Sequence, residues 1–137
     1  MPSVVRLDLP ADVQYMRVVS ACVTELLAAR ARDAGPSAAT DDIVLAIQEL
    51  CMNIVDHAYQ GRTDGRISLD FTVADDSFTA EFSDDGAPFD PSTVTAPDLE
   101  CGQVRGYGLF LMMELLDDVT YTSSGGRNHW RLTKRVR

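Results

Sequence analysis

Cysteine is scarce in this chain and shows no pairing pattern. Cys22, Cys51 and Cys101 are odd in number and lack C-x-x-C spacing, which argues against a disulfide framework or a zinc site. Cys22 and Cys51 fall inside apolar helical patterns and read as small core residues. Cys101 sits in a glycine-containing loop, without the nearby histidine and acid that a cysteine nucleophile needs. Long hydrophobic runs are also missing, and none approaches the roughly 18 residues of a membrane span. The opening M-P-S-V-V-R-L-D lacks a charged segment followed by a long apolar one, so no signal peptide is expected and the expected location is cytoplasmic. Positive charge is in short supply, with 12 Lys and Arg against 21 Asp and Glu, for a formal net charge of −9. Such a balance disfavours generic nucleic-acid binding and suits a partner with a basic patch.

What is present fits one folded domain over 1–137, with 45% hydrophobic and 24% charged residues. Its most informative stretch is Asp41 to Tyr59, D-D-I-V-L-A-I-Q-E-L-C-M-N-I-V-D-H-A-Y. Ile43, Ile47, Leu50 and Ile54 make an apolar helical stripe. Glu49, Asn53 and His57 recur every four residues and climb a separate face at the rim of the core. An acid and an amide there suit a metal or a proton, although taken alone they read first as a solvated helix flank. Thr40 or one of the aspartates after it is the expected N-cap.

Before this helix, Ser3 to Leu9 alternates weakly and predicts a strand ending at Pro10. Asp12 is the expected cap of a helix carrying Val13, Met16, Val19, Val23, Leu26 and Leu27, stopped by Gly35-Pro36. After Gly61 the period changes to two. Ile67, Leu69, Phe71 and Val73 share one face, as do Phe78, Ala80 and Phe82, and Asp75-Asp76 is the turn of the hairpin. S-D-D-G-A-P-F-D-P then opens a polar loop to about Arg105. R-G-Y-G-L-F-L-M-M-E-L-L begins a helix bearing Leu109, Leu111, Met112 and Leu115. Two final strands, Asp118 to Thr122 and His129 to Val136, are joined through S-S-G-G-R-N. The element order predicts an α+β two-layer sandwich, a mixed, mostly antiparallel sheet covered on one face by helices.

Three polar features therefore follow one another in the chain, and each has a use in holding a nucleotide. A carboxylate such as Asp84 at a strand end can accept a hydrogen bond from the exocyclic amine of adenine, and Gly86 lets the main chain turn and approach a flat ring. Gly106 and Gly108 expose backbone amides at a helix N-terminus, where phosphate oxygens are favoured. Asn53 offers a neutral oxygen to Mg²⁺, with Glu49 one turn away to take a proton. Taken singly, Asp84-Asp85-Gly86 reads first as a turn, and the glycine pair is a weak signal. No G-x-x-x-x-G-K-[ST] occurs, and the third glycine of a dinucleotide fingerprint is absent.

Together, E-L-C-M-N-I-V-D-H-A-Y resembles the N box, S-D-D-G-A-P-F-D-P the first glycine box and R-G-Y-G-L-F-L-M the second glycine box of the GHKL superfamily of ATP-binding domains. The E-x-x-x-N-x-x-x-H and D-x-G-x-P-F forms most resemble the bacterial anti-sigma-factor serine kinases, with Pro88 where many members have glycine. The resemblance implies a Bergerat-type ATP site. Glu49 would be the catalytic base, Asn53 the magnesium ligand and Asp84 the adenine-binding aspartate. Gly86, Gly106 and Gly108 would be the box glycines, and Phe89 to Arg105 the lid over the nucleotide. His57, Pro88, Phe89, Arg105, Tyr107 and Leu109 complete the expected nucleotide-binding set. His57 reads equally as a structural or pocket-lining histidine and as a catalytic one, and Arg105 equally as a solvated loop arginine. The resemblance further implies an ATP- and Mg²⁺-dependent protein serine/threonine kinase. Its protein partners would be a STAS-fold antagonist, which it phosphorylates, and a sigma factor, and such kinases are commonly homodimers. A binding module that responds to ATP without turnover is the alternative, and slow ATP hydrolysis is a third reading. The basic residues Arg127, Arg131, Lys134, Arg135 and Arg137 read mainly as the exposed side of the last strand, with partner docking as a second use.

Overall fold

The structure, a computed structural model, describes residues 3–30, 38–59, 64–89 and 107–136. Strand β1 (Ser3–Pro10) leads through a 3-10 turn (Val13–Tyr15) into helix α1 (Met16–Arg30). Helix α2 (Ala38–Asn53) continues as a π turn (Ile54–Ala58). The hairpin of β2 (Arg66–Val73) and β3 (Ser77–Asp84) follows, then helix α3 (Tyr107–Leu115) and the hairpin of β4 (Asp118–Ser124) and β5 (Arg127–Arg135). The five strands lie in the order β1-β2-β3-β5-β4. All four neighbouring pairs are antiparallel, which narrows the expected mixed, mostly antiparallel sheet to a fully antiparallel one.

Alternation along the strands decides what the sheet buries. Ile67, Leu69, Phe71 and Val73 of β2, Phe78, Ala80 and Phe82 of β3, and Trp130 and Leu132 of β5 all turn inward. They form one core with Val19, Val23 and Leu27 of α1, Ile43, Ile47, Leu50 and Ile54 along α2 and its π turn, and Met112 of α3. Each such large side chain contributes about 1.5–3 kcal/mol by leaving water. The intervening strand residues carry polar groups, where Arg6 meets Asp70 at 2.7 Å and Arg131 meets Glu81 at 3.6 Å. These pairs are solvated and add little. Helices therefore cover one face, as the element order predicts.

Local differences from the sequence reading have local causes. Asp12 does cap, accepting from Gln14 N at 3.0 Å, but what it caps is the 3-10 turn. Val13 consequently stands 53% exposed rather than in the core stripe. Helix α2 begins at Ala38, so Thr40 and Asp41 lie inside its first turn rather than at its cap. Gly35-Pro36 is outside the described residues. The S-S-G-G-R-N connection shrinks to Gly125-Gly126, with φ of 59° and 77°. Two positive φ values match the twist of a tight hairpin, so both flanking strands lengthen. Lys134 also departs from the expected exposed row. Its Nζ donates to the carbonyl of Leu115 at 2.7 Å, the last residue of α3, where a cation suits the helix dipole. No helix among the described residues is long and apolar enough to cross a membrane.

Candidate nucleotide-binding site

The inward parity of β3 runs one step past its apolar residues and places Asp84 on the core side at the strand end. Asp84 is 1% exposed, one of two buried polar residues among those described; the other is Asn128. The two are direct cross-strand partners on β3 and β5. Asp84 Oδ1 accepts from Asn128 Nδ2 at 2.8 Å and from Gly86 N at 2.9 Å. Asp84 Oδ2 is buried and has no hydrogen-bond partner. A buried acceptor left unpaired costs about 1–3 kcal/mol and marks a place where a donor belongs. Burial raises the Asp84 carboxyl above its ordinary value, while the hydrogen bonds from Asn128 and Gly86 pull it back.

Gly86 is needed for a different reason from the one the sequence suggests. It is not among the positive-φ residues. A Cβ placed on it would lie 2.4 Å from the carbonyl oxygen of Ala58 and 2.7 Å from Ala58 Cβ. Beside it, Ala87 N donates to the same carbonyl at 2.8 Å. Ala58 closes the π turn, so the loop after β3 is docked against the end of the helix that carries Glu49 and Asn53. Tyr59 adds a second tie. Its hydroxyl accepts from Asp85 N at 2.9 Å and lies 2.7 Å from both Arg66 O and Asp85 Oδ1, either of which can take its proton. Burial, with the hydrogen bond to Asp85, pushes the Tyr59 hydroxyl up to about 12.

Glu49 and Asn53 are half-buried and one turn apart on α2, at the rim of the core as their spacing predicts. Past Asn53 the backbone winds as a π turn over Ile54–Ala58, with i→i+5 bonding. The His57 side chain is outside the described residues. Pro88 is exposed and Phe89 half-buried, the latter against Tyr121 and Trp130 with ring centroids 5.7 and 5.2 Å away. Arg105 and Gly106 lie outside the described residues, as do residues 90–104. Tyr107, Gly108 and Leu109 open α3, with their side chains likewise outside. Helix α3 packs on α2. Elements carrying all three sequence motifs thus adjoin one helix.

Sequence reasoning missed Asn128, Tyr121 and Tyr59. Asn128 was hidden in a stretch read as a turn, although counting back by two from Trp130 gives it an inward position. Of the cysteines, Cys51 is buried and its thiol is pushed up to about 12 by desolvation, which suits a core residue. Cys101 is outside the described residues.

The unpaired buried oxygen of Asp84 suits a ligand that brings a hydrogen-bond donor, such as an exocyclic amine, and the loop beside it is held against Ala58. Among the described residues no group of three or more His, Cys, Asp or Glu is arranged to hold a metal. Asn53 alone suits a magnesium ion carried largely by phosphates and water.

Comparison with known proteins bears on the same features. The profile of the histidine kinase-like ATPase domain matches residues 9–134. The serine-protein kinase RsbW of Listeria monocytogenes is 32% identical over 123 residues, covering 84% of this chain and 76% of the relative. RsbW of Bacillus velezensis is 29% identical over 133 residues, covering 89% and 79%. A structure of the RsbU and RsbW domains of a Mycobacterium tuberculosis protein superposes with a TM-score of 0.67 at 24% identity, over 97% of this chain and 32% of the other. The SiaB-SiaC complex of Pseudomonas aeruginosa gives 0.65 at 14% identity, over 96% and 89%. The two structures establish likeness of fold, and the match of profile and sequence along nearly the whole chain establishes descent. The chain belongs to the histidine kinase-like ATPase domain family.

Proposed function

We propose that this chain is an ATP-dependent protein serine/threonine kinase that phosphorylates a small STAS-fold antagonist protein and thereby regulates a sigma factor. The observation that carries the nucleotide assignment is the buried, unpaired Oδ2 of Asp84, an acceptor facing no protein donor. The kinase assignment draws on the similarity to proteins named serine-protein kinase RsbW.

Asp84 takes the adenine amine, with Gly86, Pro88 and Phe89 bounding the base. The start of α3, with Tyr107, Gly108 and Leu109, offers backbone amides to the phosphates, with Gly106 and Arg105 before it in the sequence assigned to the same role. Asn53 supplies an oxygen to Mg²⁺, which neutralises phosphate charge when bound. Glu49 accepts the proton of the partner's hydroxyl as that oxygen bonds to the γ-phosphorus and ADP leaves. His57 lines the pocket and is not a phosphoacceptor. The working assembly is a homodimer in the cytoplasm.

Incubation of the chain with labelled ATP, Mg²⁺ and candidate STAS-fold proteins is the direct test, with label expected on a serine or threonine of the partner. ATP-dependent partner binding without transfer would replace this reading by that of a binding module. Co-purification with a sigma factor and light scattering of the free protein test the remaining partners and the dimer.

A further inference from the structure

Asp84 alone does not explain why one carboxylate oxygen is reserved for a ligand. A carboxylate is symmetric, and either oxygen can face the pocket unless the surroundings choose. Asn128 makes that choice. Its Nδ2 donates to Asp84 Oδ1 at 2.8 Å and also lies 3.0 Å from Gly86 O and 3.2 Å from Ala87 O. An amide has two N–H groups, so this nitrogen spends its donors on the carboxylate and on the carbonyls of the following loop. The orientation of the amide is itself fixed, because Tyr121 Oη donates to Asn128 Oδ1 at 2.8 Å. The same tyrosine oxygen accepts from Phe89 N at 2.8 Å. A single run of hydrogen bonds therefore joins residues 84, 86, 87 and 89 through two side chains of the β4–β5 hairpin. Asn128 is 3% exposed, so its bonds are shielded from competing water and worth correspondingly more.

We propose that Asn128, oriented by Tyr121, is a positioning residue for base selection: it commits Asp84 Oδ1 to the protein and leaves Oδ2 as a fixed acceptor for the 6-amino group of a purine. The inference rests on the adenine site proposed above and adds how that site tells an amine from an oxygen. A carboxylate free to rotate or shift could adapt by water or by protonation to a 6-oxo purine. One held from behind by Asn128 and Gly86 presents a lone pair and meets the 6-oxygen with repulsion. Tyr121 acts at one remove, through the orientation of Asn128 and through Phe89, whose ring packs against Tyr121 and Trp130.

The test is calorimetric titration of the full chain with ATP and with inosine triphosphate, which differs by an oxygen in place of the amine. The unmodified protein is expected to favour ATP. Asn128→Ala should cut the ratio of the two affinities about tenfold, as fits a lost hydrogen bond to a charged group. Tyr121→Phe, which keeps the ring packing, should cut it about threefold. A role in folding alone would lower both affinities together and leave their ratio intact. An unchanged ratio in folded Asn128→Ala overturns the proposal while leaving the adenine site standing. If that variant does not fold, as judged by circular dichroism, an unchanged ratio in Tyr121→Phe overturns it. If the unmodified protein binds both nucleotides equally, the adenine assignment falls and this inference with it.

Discussion

At the scale of single residues, Asp84 is the most constrained group. Because Gly86 N and Asn128 Nδ2 both donate to its Oδ1, an asparagine substituted there keeps its oxygen on those donors and turns its amide nitrogen toward the proposed place of the adenine amine. Asp84→Asn then sets donor against donor, and calorimetry should show ATP binding about 10- to 100-fold weaker, with the fold retained. The same carboxyl gives a pH signature. Its value in the folded protein is raised by burial, so the unfolded chain releases this proton first as pH rises. The contribution of Asp84 to stability is therefore fully present below the ordinary aspartate range and is lost as pH climbs from there through the raised value. Urea titrations across that window should show a decline in the unmodified protein that is reduced in Asp84→Asn. Glu49 makes a separable claim, because it is assigned to proton transfer and not to binding. Glu49→Ala is expected to lower transfer to a STAS-fold partner by about 10²- to 10⁴-fold while ATP affinity stays nearly constant. Unimpaired transfer would falsify its role as the base.

At the scale of elements, the meeting of the π turn with the loop after β3 matters most. The Ala58 carbonyl receives Ala87 N, and Gly86 packs so close that no Cβ fits. Gly86→Ala must push backbone away from backbone, since the nearest atom is a main-chain oxygen and no flexible side chain can yield. A loss of about 1–3 kcal/mol in denaturant stability is expected, with weakened nucleotide binding because the loop and α2 separate. Helix α3 has its own fixture in Lys134, whose Nζ reaches the Leu115 carbonyl. Lys134→Met should keep most of the stem packing and lose about 1 kcal/mol, read as a shift of the denaturation midpoint without change of slope.

At the scale of the whole molecule, a nucleotide held as proposed, against the loop after β3 and the ends of α2 and α3, would bind the folded chain and not the unfolded one. ATP at 100 times its dissociation constant should add about 2.7 kcal/mol of stability and raise the melting temperature by several degrees. Asp84→Asn at the same ATP concentration, with affinity about 10- to 100-fold weaker, should keep only about 0.4–1.4 kcal/mol of this gain, and a full gain there would place the nucleotide elsewhere.

Much of this architecture is legible from local pattern. Period-two runs at Ile67 to Val73 and Phe78 to Phe82 marked the buried face of the central hairpin, because a strand shows alternate residues to alternate sides. The stripe of Ile43, Ile47, Leu50 and Ile54 likewise marked the inner face of α2. Three spaced motifs indicated the family, and the profile over residues 9–134 bears that out.

By itself, then, the sequence determined the class of fold, the hairpins, the helix faces and the kind of site, since these depend on periodicity and residue type along short stretches. Tertiary structure decided the rest. The approach of Gly86 to Ala58 brings together two segments distant in sequence, beside the π turn that follows Asn53. The pairing of Asp84 with Asn128, 44 residues apart, depends on β5 entering the sheet between β3 and β4. That insertion gives the buried carboxylate one satisfied oxygen and one left for a ligand, a distinction no local pattern contains.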